Sequence, residues 1–145
     1  MLIYFDTCCL QRPFDNRLQP RINIEAEAVL TVLGLIEQNY VTLVSSEILD
    51  YEISKIPDLN RRDQTRNILN LSNQYIHLSD KIELQAKYFV QNHIKPLDAL
   101  HLAAAIEGNA DFFCTTDDKF LKKIRLLGLV TPKITTPLEL ILDLT

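Results

Sequence analysis

Four acidic residues stand at positions where a carboxylate could do chemistry, and they are spread over the whole chain. Asp6 and Asp117 each follow a short apolar run, Glu52 falls on an apolar helical face, and Asp98 opens an almost wholly apolar segment. Carboxylate oxygens suit Mg²⁺ or Mn²⁺, and these ions bridge to substrate phosphates. If the four acids converge, they predict metal-assisted hydrolysis of a phosphodiester bond.

The two acids that follow apolar runs are expected at the ends of strands. In open α/β sheets, ligands bind beyond the carboxyl ends of the strands, near a reversal of strand order, so Asp6 and Asp117 would project into that crevice. Each also has a purely structural alternative. Asp6 could be a turn residue, and either Asp117 or Asp118 could cap the helix that begins near Lys119.

The position of Glu52 on its predicted helix is more informative. Helical spacing places it one turn after Ile48 and one turn before Ile56, within the apolar arc, whereas Glu47 and Asp50 fall on the opposite side. A carboxylate on a buried face is costly unless it is paired or coordinated. We therefore predict that Glu52 is a functional acid and that the other two are solvated.

The segment after Asp98 is apolar nearly all round, which predicts a central, buried helix. An acid in the first turn of a helix interacts favourably with the helix dipole, so Asp98 has a structural interpretation beside that of a metal ligand. His101 lies one turn later, and we expect it to be a hydrogen-bonded structural residue.

The elements that must position these residues follow an alternating pattern. Apolar runs predict strands at 2–5, 41–44, 75–78, 112–115 and 134–135. Helical patterns cover 24–37, 46–56, 61–73, 80–90, 97–107 and 119–127, followed by a C-terminal helical turn. Asn23 is the expected N-cap of the first helix, and residues 11–16 are expected to form a loop. Strands alternating with helices predict an α/β fold with a mostly parallel sheet, in a single domain over residues 1–145.

The net charge of −4 argues mildly against a nucleic-acid partner, because proteins that bind phosphate backbones usually have basic surfaces. Net charge does not describe how the charge is distributed, however, and part of the acidity would belong to a metal site. Two basic runs could contact a nucleic acid, and the alternative is that both are solvated helix faces. They are Arg61, Arg62 and Arg66, and Lys119, Lys122, Lys123 and Arg125.

Cysteine usage and the N-terminus both bear on location. The three cysteines include no C-x-x-C pair and suggest no disulfide framework, so we expect a reducing compartment. The N-terminus lacks the basic and apolar regions of a signal peptide, and no apolar stretch approaches the length of a membrane span. We therefore expect a cytoplasmic protein without a membrane partner.

The motifs of this chain resemble, in order and over nearly its whole length, those of the PIN domain family, which includes the VapC-type toxins of bacterial toxin–antitoxin pairs. The segments that carry the resemblance are Tyr4-Phe5-Asp6-Thr7, residues 46–52, Pro96-Leu97-Asp98-Ala99-Leu100-His101-Leu102-Ala103 and Thr115-Thr116-Asp117-Asp118-Lys119-Phe120. One departure is Cys8, which stands where the family often has serine.

The resemblance implies a three-layer PIN-like fold, with a sheet of about five strands and helices on both faces. It also implies a Mg²⁺- or Mn²⁺-dependent endoribonuclease with RNA as substrate, an antitoxin partner if the chain is a toxin, and a homodimer. Four acids match the family's acidic positions: Asp6, Glu52, Asp98 and Asp117. Of these, Asp6, Asp98 and Asp117 are the expected metal ligands. Thr115 matches the supporting hydroxyl position, and Thr7 and Asp118 are further supporting candidates. Asp117 is favoured over Asp118 because Phe120 then keeps the family's usual offset.

Other functional classes that begin with a similar strand fit less well. Haloacid-dehalogenase-like phosphatases need a second Asp where this chain has Cys8, and response-regulator receivers need an acidic pair near the start. Three glycines supply no dinucleotide-binding fingerprint. The remaining alternative is a PIN fold without catalysis that serves as an RNA-binding or regulatory module.

Overall fold

The fold is organised around one sheet of five parallel strands, seen in a computed structural model that describes residues 1–145. The strands are β1 (Leu2–Phe5), β2 (Thr42–Ser46), β3 (Gln74–Ile76), β4 (Phe112–Cys114) and β5 (Lys133–Thr135). Their spatial order is β3-β2-β1-β4-β5, and every neighbouring pair is parallel. The predicted α/β class is therefore confirmed, and the sheet is wholly rather than mostly parallel.

The order of the strands reverses beside β1. The chain moves outward from β1 through β2 to β3, then crosses back to place β4 on the other side of β1. Right-handed crossovers in opposite directions cover opposite faces of a sheet, which puts helices on both sides. Phe5 is in register with Cys114, and the Asp6 N–H donates to the Cys114 carbonyl at 2.9 Å. The carboxyl ends of β1 and β4 thus meet at the reversal, where α/β sheets bind ligands.

Seven α-helices lie between the strands along the chain, and an eighth follows the last strand. They are α1 (Thr7–Gln11), α2 (Pro20–Glu37), α3 (Glu47–Ser54), α4 (Leu59–Leu69), α5 (Asp80–Gln91), α6 (Pro96–Glu107), α7 (Asp118–Leu126) and α8 (Pro137–Leu144). The predicted α5 and α6 agree with the structure to within one residue, and most other boundaries shift by one to four residues. The predicted C-terminal turn is a full helix. No helix is both long and apolar enough to cross a membrane.

The loop predicted for residues 11–16 is wrong over most of its length. Helix α1 begins directly after Asp6, whose side chain accepts the Thr7 N–H, and the chain continues into a short 3-10 helix, Arg12–Phe14. Pro13 lies in the first turn of that 3-10 helix, where a missing backbone N–H costs little.

The predicted start of α2 is also wrong. The helix begins at Pro20 with Gln19 as N-cap, and Asn23 lies inside it rather than capping it. Proline is favourable at the first helical position because its φ is already helical and its N–H is not needed there. The Asn23 side chain instead accepts a hydrogen bond from Arg17.

The predicted central helix, α6, packs against α5, and its middle section, residues 101–105, is buried. Four of its alanines are completely solvent-free: Ala99, Ala103, Ala104 and Ala105. Small side chains allow close packing, so α6 brings its first turn up to the carboxyl edge of the sheet. Asp98 lies in that first turn.

Candidate active site

Asp6 follows β1 and is only 5% exposed. Its Oδ1 accepts the Thr7 N–H at 2.8 Å, which begins α1, and its Oδ2 accepts the Thr115 hydroxyl at 2.9 Å. Burial raises the pKa of Asp6 well above its usual range, and the neighbouring Cys8 sulfur and the Asp98 carboxylate add to that rise. The side chain is thus held in place while its charge is left poorly compensated.

Thr115 connects the ends of the two central strands. Its fully buried hydroxyl donates to Asp6 Oδ2 and accepts the Asp117 N–H at 3.1 Å. Cys8 Sγ lies 3.4 Å from the same hydroxyl. Thr115 therefore fixes the positions of Asp6 and Asp117 relative to each other, as a supporting residue would.

Glu52 reaches the same site from α3. Its Oε1 lies 3.0 Å from His101 Nε2, and its side chain is 28% exposed. Burial works to raise the pKa of Glu52, but the hydrogen bond with His101 and the nearby Thr7 hydroxyl outweigh it and lower the pKa below its usual value. Ligand atoms of Asp6, Glu52 and His101 all lie within 4.8 Å of one another, so the structure brings acids of β1 and α3 together.

Asp98 and Asp117 line a small cavity of about 50 Å³ next to these groups. Burial raises the pKa of Asp98, and the charges of Asp117 and Glu52 raise it further. Asp117 also caps α7, because its Oδ1 accepts the N–H groups of Lys119 and Phe120 at 3.1 Å. Its capping role and its place beside Asp98 coexist, because the cap uses Oδ1 alone.

Asp118, by contrast, faces another part of the molecule. Both of its carboxylate oxygens accept hydrogen bonds from Arg21 at 2.8 Å, and the ion pair is exposed. The arginine lowers the pKa of Asp118. The structure thus brings Asp117, and not Asp118, next to Asp98.

The donor set fits a hard divalent cation. The ion pairs of the protein give Asp6, Asp98 and Asp117 no lysine or arginine partner, and Glu52 is paired only with His101. The Thr7 hydroxyl is buried here and has no hydrogen-bond partner. Of the four acids only Asp6 is buried, whereas Glu52 and Asp98 are partly exposed and Asp117 is exposed. A buried carboxylate and an unsatisfied hydroxyl are costly in a protein unless something else binds them. Oxygen donors of this kind suit Mg²⁺ or Mn²⁺.

Comparison with known proteins shows the family and the fold of this chain. The family model for the PIN domain matches residues 3–126. The chain belongs to the PIN domain family. Its fold is also similar to a chain of the crystal structure of VapBC2 from Rickettsia felis bound to a DNA fragment from their promoter. That match has a TM-score of 0.57 and 20% sequence identity, and it covers 93% of this chain and 97% of the other. A search of curated proteins finds no match.

Two buried polar residues of this PIN domain lie beside the site and were not predicted from the sequence to belong to it. Tyr4 and Ser46 are solvent-free, and Tyr4 Oη lies 2.7 Å both from Ser46 Oγ and from His101 Nδ1. A signal existed, since a buried tyrosine hydroxyl in an apolar strand requires a hydrogen-bond partner. The identity of that partner was not readable, because His101 lies 97 residues away in the chain.

Proposed function

We propose that this PIN domain protein is a metal-dependent endoribonuclease that hydrolyses phosphodiester bonds in RNA. The observation that supports this best is that two pairs of carboxylates, Asp6 with Glu52 and Asp98 with Asp117, are neighbours at the reversal of strand order and form no lysine or arginine ion pair. A cluster of this kind is electrostatically unfavourable by itself, and it becomes favourable when a divalent cation binds.

The acids divide into two roles in this proposal. Asp6, Asp98 and Asp117 would hold Mg²⁺ or Mn²⁺. Such an ion, when bound, neutralises charge on the substrate phosphate and lowers the pKa of water. Glu52 would orient the attacking water, since His101 keeps the carboxylate ionised and holds one of its oxygens. Thr115 would fix Asp6 relative to the loop that carries Asp117.

The hydrolysis needs only water as a co-reactant. The water oxygen forms a bond to phosphorus as the bond from phosphorus to the leaving oxygen of the ribose breaks. The Glu52 carboxylate takes the proton of the water, and the leaving oxygen takes a proton from solvent.

Three lysines beside the acid cavity would bind the backbone of the substrate. Lys95, Lys119 and Lys123 line the cavity that holds Asp98 and Asp117, and none of them forms an ion pair. Unpaired ammonium groups attract phosphates, and their binding releases counterions. The net charge of −4 argues against binding of a phosphate backbone, but these lysines give the cavity a local positive charge.

We further propose that the nuclease is a toxin whose partner is an antitoxin protein, and that it forms a homodimer in the cytoplasm. The resemblance to VapC-type toxins and the similarity in fold to VapBC2 support this proposal. A basic side chain of the antitoxin would take the place of the cation among the carboxylates. Co-purification of the product of an adjacent small open reading frame, with loss of nuclease activity on binding, would support the pairing.

The nuclease proposal is tested by incubating purified protein with a mixed pool of single-stranded and structured RNA. Reactions contain Mn²⁺, Mg²⁺ or EDTA and compare wild type with Asp6→Asn. We expect cleavage with either metal, none with EDTA, and at least a ~100-fold loss in the variant because a ligand charge is removed.

Asp111→Asn is the matched control. Asp111 accepts the Leu2 N–H at the opposite edge of the sheet, and asparagine keeps that acceptor, so this variant should cut normally. No cleavage by wild type under any metal, together with no metal binding in calorimetry, would favour the non-catalytic RNA-binding module.

A further inference from the structure

A chain of buried polar groups runs from the start of α3 to the Glu52 carboxylate. The Leu49 N–H donates to Ser46 Oγ at 3.1 Å, and Ser46 Oγ lies 2.7 Å from Tyr4 Oη. Tyr4 Oη lies 2.7 Å from His101 Nδ1, and His101 Nε2 lies 3.0 Å from Glu52 Oε1. The three intervening side chains are completely solvent-free, so every proton in the chain must be shared among these groups.

The two ends of this chain fix the direction of its hydrogen bonds. A backbone N–H can only donate, so Ser46 Oγ accepts from Leu49 and its own proton is free for Tyr4. An ionised Glu52 can only accept, so His101 Nε2 must carry a proton. With neutral His101, Tyr4 then donates to Nδ1 and accepts from Ser46, and each group has one donor and one acceptor.

This arrangement also removes His101 from the set of metal ligands. Its distance from Asp6 and Glu52 is suitable for a shared ion, but both ring nitrogens already have partners on the protein side. A ligating nitrogen needs a free lone pair, and none remains when Nε2 is protonated and Nδ1 accepts from Tyr4. Of the groups of Asp6, Glu52 and His101, only the carboxylate oxygens then remain as donors for a cation.

We propose that Ser46, Tyr4 and His101 are positioning residues that hold Glu52 in the orientation needed at the metal site. The proposal rests on the proposed nuclease function for its role in cleavage, but not for the hydrogen bonds themselves. A free glutamate side chain samples several rotamers, and ordering it costs entropy. Bonding Oε1 to a buried, immobile imidazole restricts that motion before substrate binds, and it leaves Oε2 for the reaction.

The first test uses NMR of protein labelled with ¹⁵N at histidine, without metal or RNA. Two-bond ¹H–¹⁵N correlations report which ring nitrogen carries the proton, and we expect His101 to be the neutral Nε2–H tautomer. Tyr4→Phe keeps the ring that stacks on Phe113 but removes the donor to Nδ1, so the Nδ1 shift should move and the minor tautomer should appear. A wild-type ring protonated at Nδ1 alone would overturn the proposal.

The second test measures Mn²⁺ affinity by calorimetry and steady-state cleavage for the same variant. We expect Tyr4→Phe to lose about 10-fold in Mn²⁺ affinity or in kcat, with little change in KM for RNA, as is typical when a group at a metal site loses the hydrogen bonds that orient it. Tyr75→Phe is the control, because it removes another hydrogen-bonded tyrosine hydroxyl, one that contacts Asp50 on the surface.

Two substitutions at His101 separate positioning from packing. The amide of His101→Gln can still donate to Glu52, whereas His101→Leu cannot, so the glutamine variant should retain more kcat at comparable stability. Equal kcat and Mn²⁺ affinity in wild type, Tyr4→Phe and His101→Leu, with only the unfolding free energy reduced, would show a merely structural chain. If wild type cut no RNA, the nuclease proposal would fail, while the tautomer and the Mn²⁺ affinities would still decide whether these residues hold Glu52.

Discussion

Two acids of this protein are buried to the same degree but have very different surroundings. Glu25 on α2 and Asp6 after β1 are each 5% exposed. Glu25 lies within ion-pair distance of two arginines, Arg12 at 3.3 Å and Arg21 at 3.6 Å. Asp6 forms no ion pair with a lysine or an arginine. Burial, Cys8 and Asp98 raise its pKa, and His101 acts against that rise.

The comparison shows that burial alone does not identify a functional acid. Both carboxylates lose hydration, which costs free energy in either place. At Glu25 the protein itself supplies the compensating charge, as expected for a structural ion pair. At Asp6 the protein supplies hydrogen bonds but no lysine or arginine, which is the condition that favours the binding of a cation in the proposed function.

The largest expected effect on cleavage concerns two neighbouring aspartates, Asp117 and Asp118, of which only Asp117 lies beside Asp98. Asp117→Asn should lower cleavage by ~100-fold or more, because it removes a ligand charge while asparagine still caps α7. Asp118→Asn should retain most activity, since it breaks only an exposed ion pair with Arg21. Cleavage rates and circular dichroism of the two variants test this. Equal losses in both would mean that the last acidic position is not Asp117 alone.

Metal binding should stabilise the wild type and not a protein that lacks a ligand. At a Mn²⁺ concentration 100 times the Kd, the free energy of unfolding should rise by about 2.7 kcal/mol, because only the folded state assembles the site. Asp6→Asn should show little of this gain. Thermal unfolding with Mn²⁺, and then with excess EDTA, measures it, and an equal gain in both proteins would place the ion elsewhere.

Replacing Glu25, the acid paired with arginines, should lower stability without changing cleavage. Glu25→Gln leaves Arg12 and Arg21 without their shared carboxylate, so we expect a loss of ~2 kcal/mol in the free energy of unfolding. Cleavage per folded molecule should not change. Urea unfolding combined with cleavage assays separates the two quantities, and a stable but inactive variant would extend the site to α2.

The smallest effect concerns the protein without metal. Because the folded-state pKa of Asp6 is raised, its ionised form destabilises the fold at pH values above that pKa. Asp6→Asn should therefore be more stable than metal-free wild type by about 1 kcal/mol at neutral pH, the usual scale when function costs stability. The difference should shrink as the pH falls through the raised pKa and Asp6 becomes protonated. A difference that grows on acidification would contradict this account.

The sequence alone was sufficient to predict most of the elements and the acidic character of the candidate site. Apolar runs that end in acids predicted β1 and β4, and the apolar segment after Asp98 predicted the buried helix α6. These features depend on periodicity and residue type, which are local properties of the chain. The ordered motifs around Asp6, Glu52, Asp98 and Asp117 were sufficient to predict the PIN family, which the family model confirms.

Only the tertiary structure decided which groups meet. The reversal of strand order puts Asp6 beside Thr115, which is 109 residues away, and Glu52 beside His101, which is 49 residues away. The same applies to the ion pair between Arg21 and Asp118, which distinguishes Asp118 from Asp117. Local sequence does not encode such contacts, because they depend on how strands are ordered and helices packed over long separations. Helix starts at Thr7 and Pro20 were likewise missed, since capping and proline geometry there outweighed the apolar pattern.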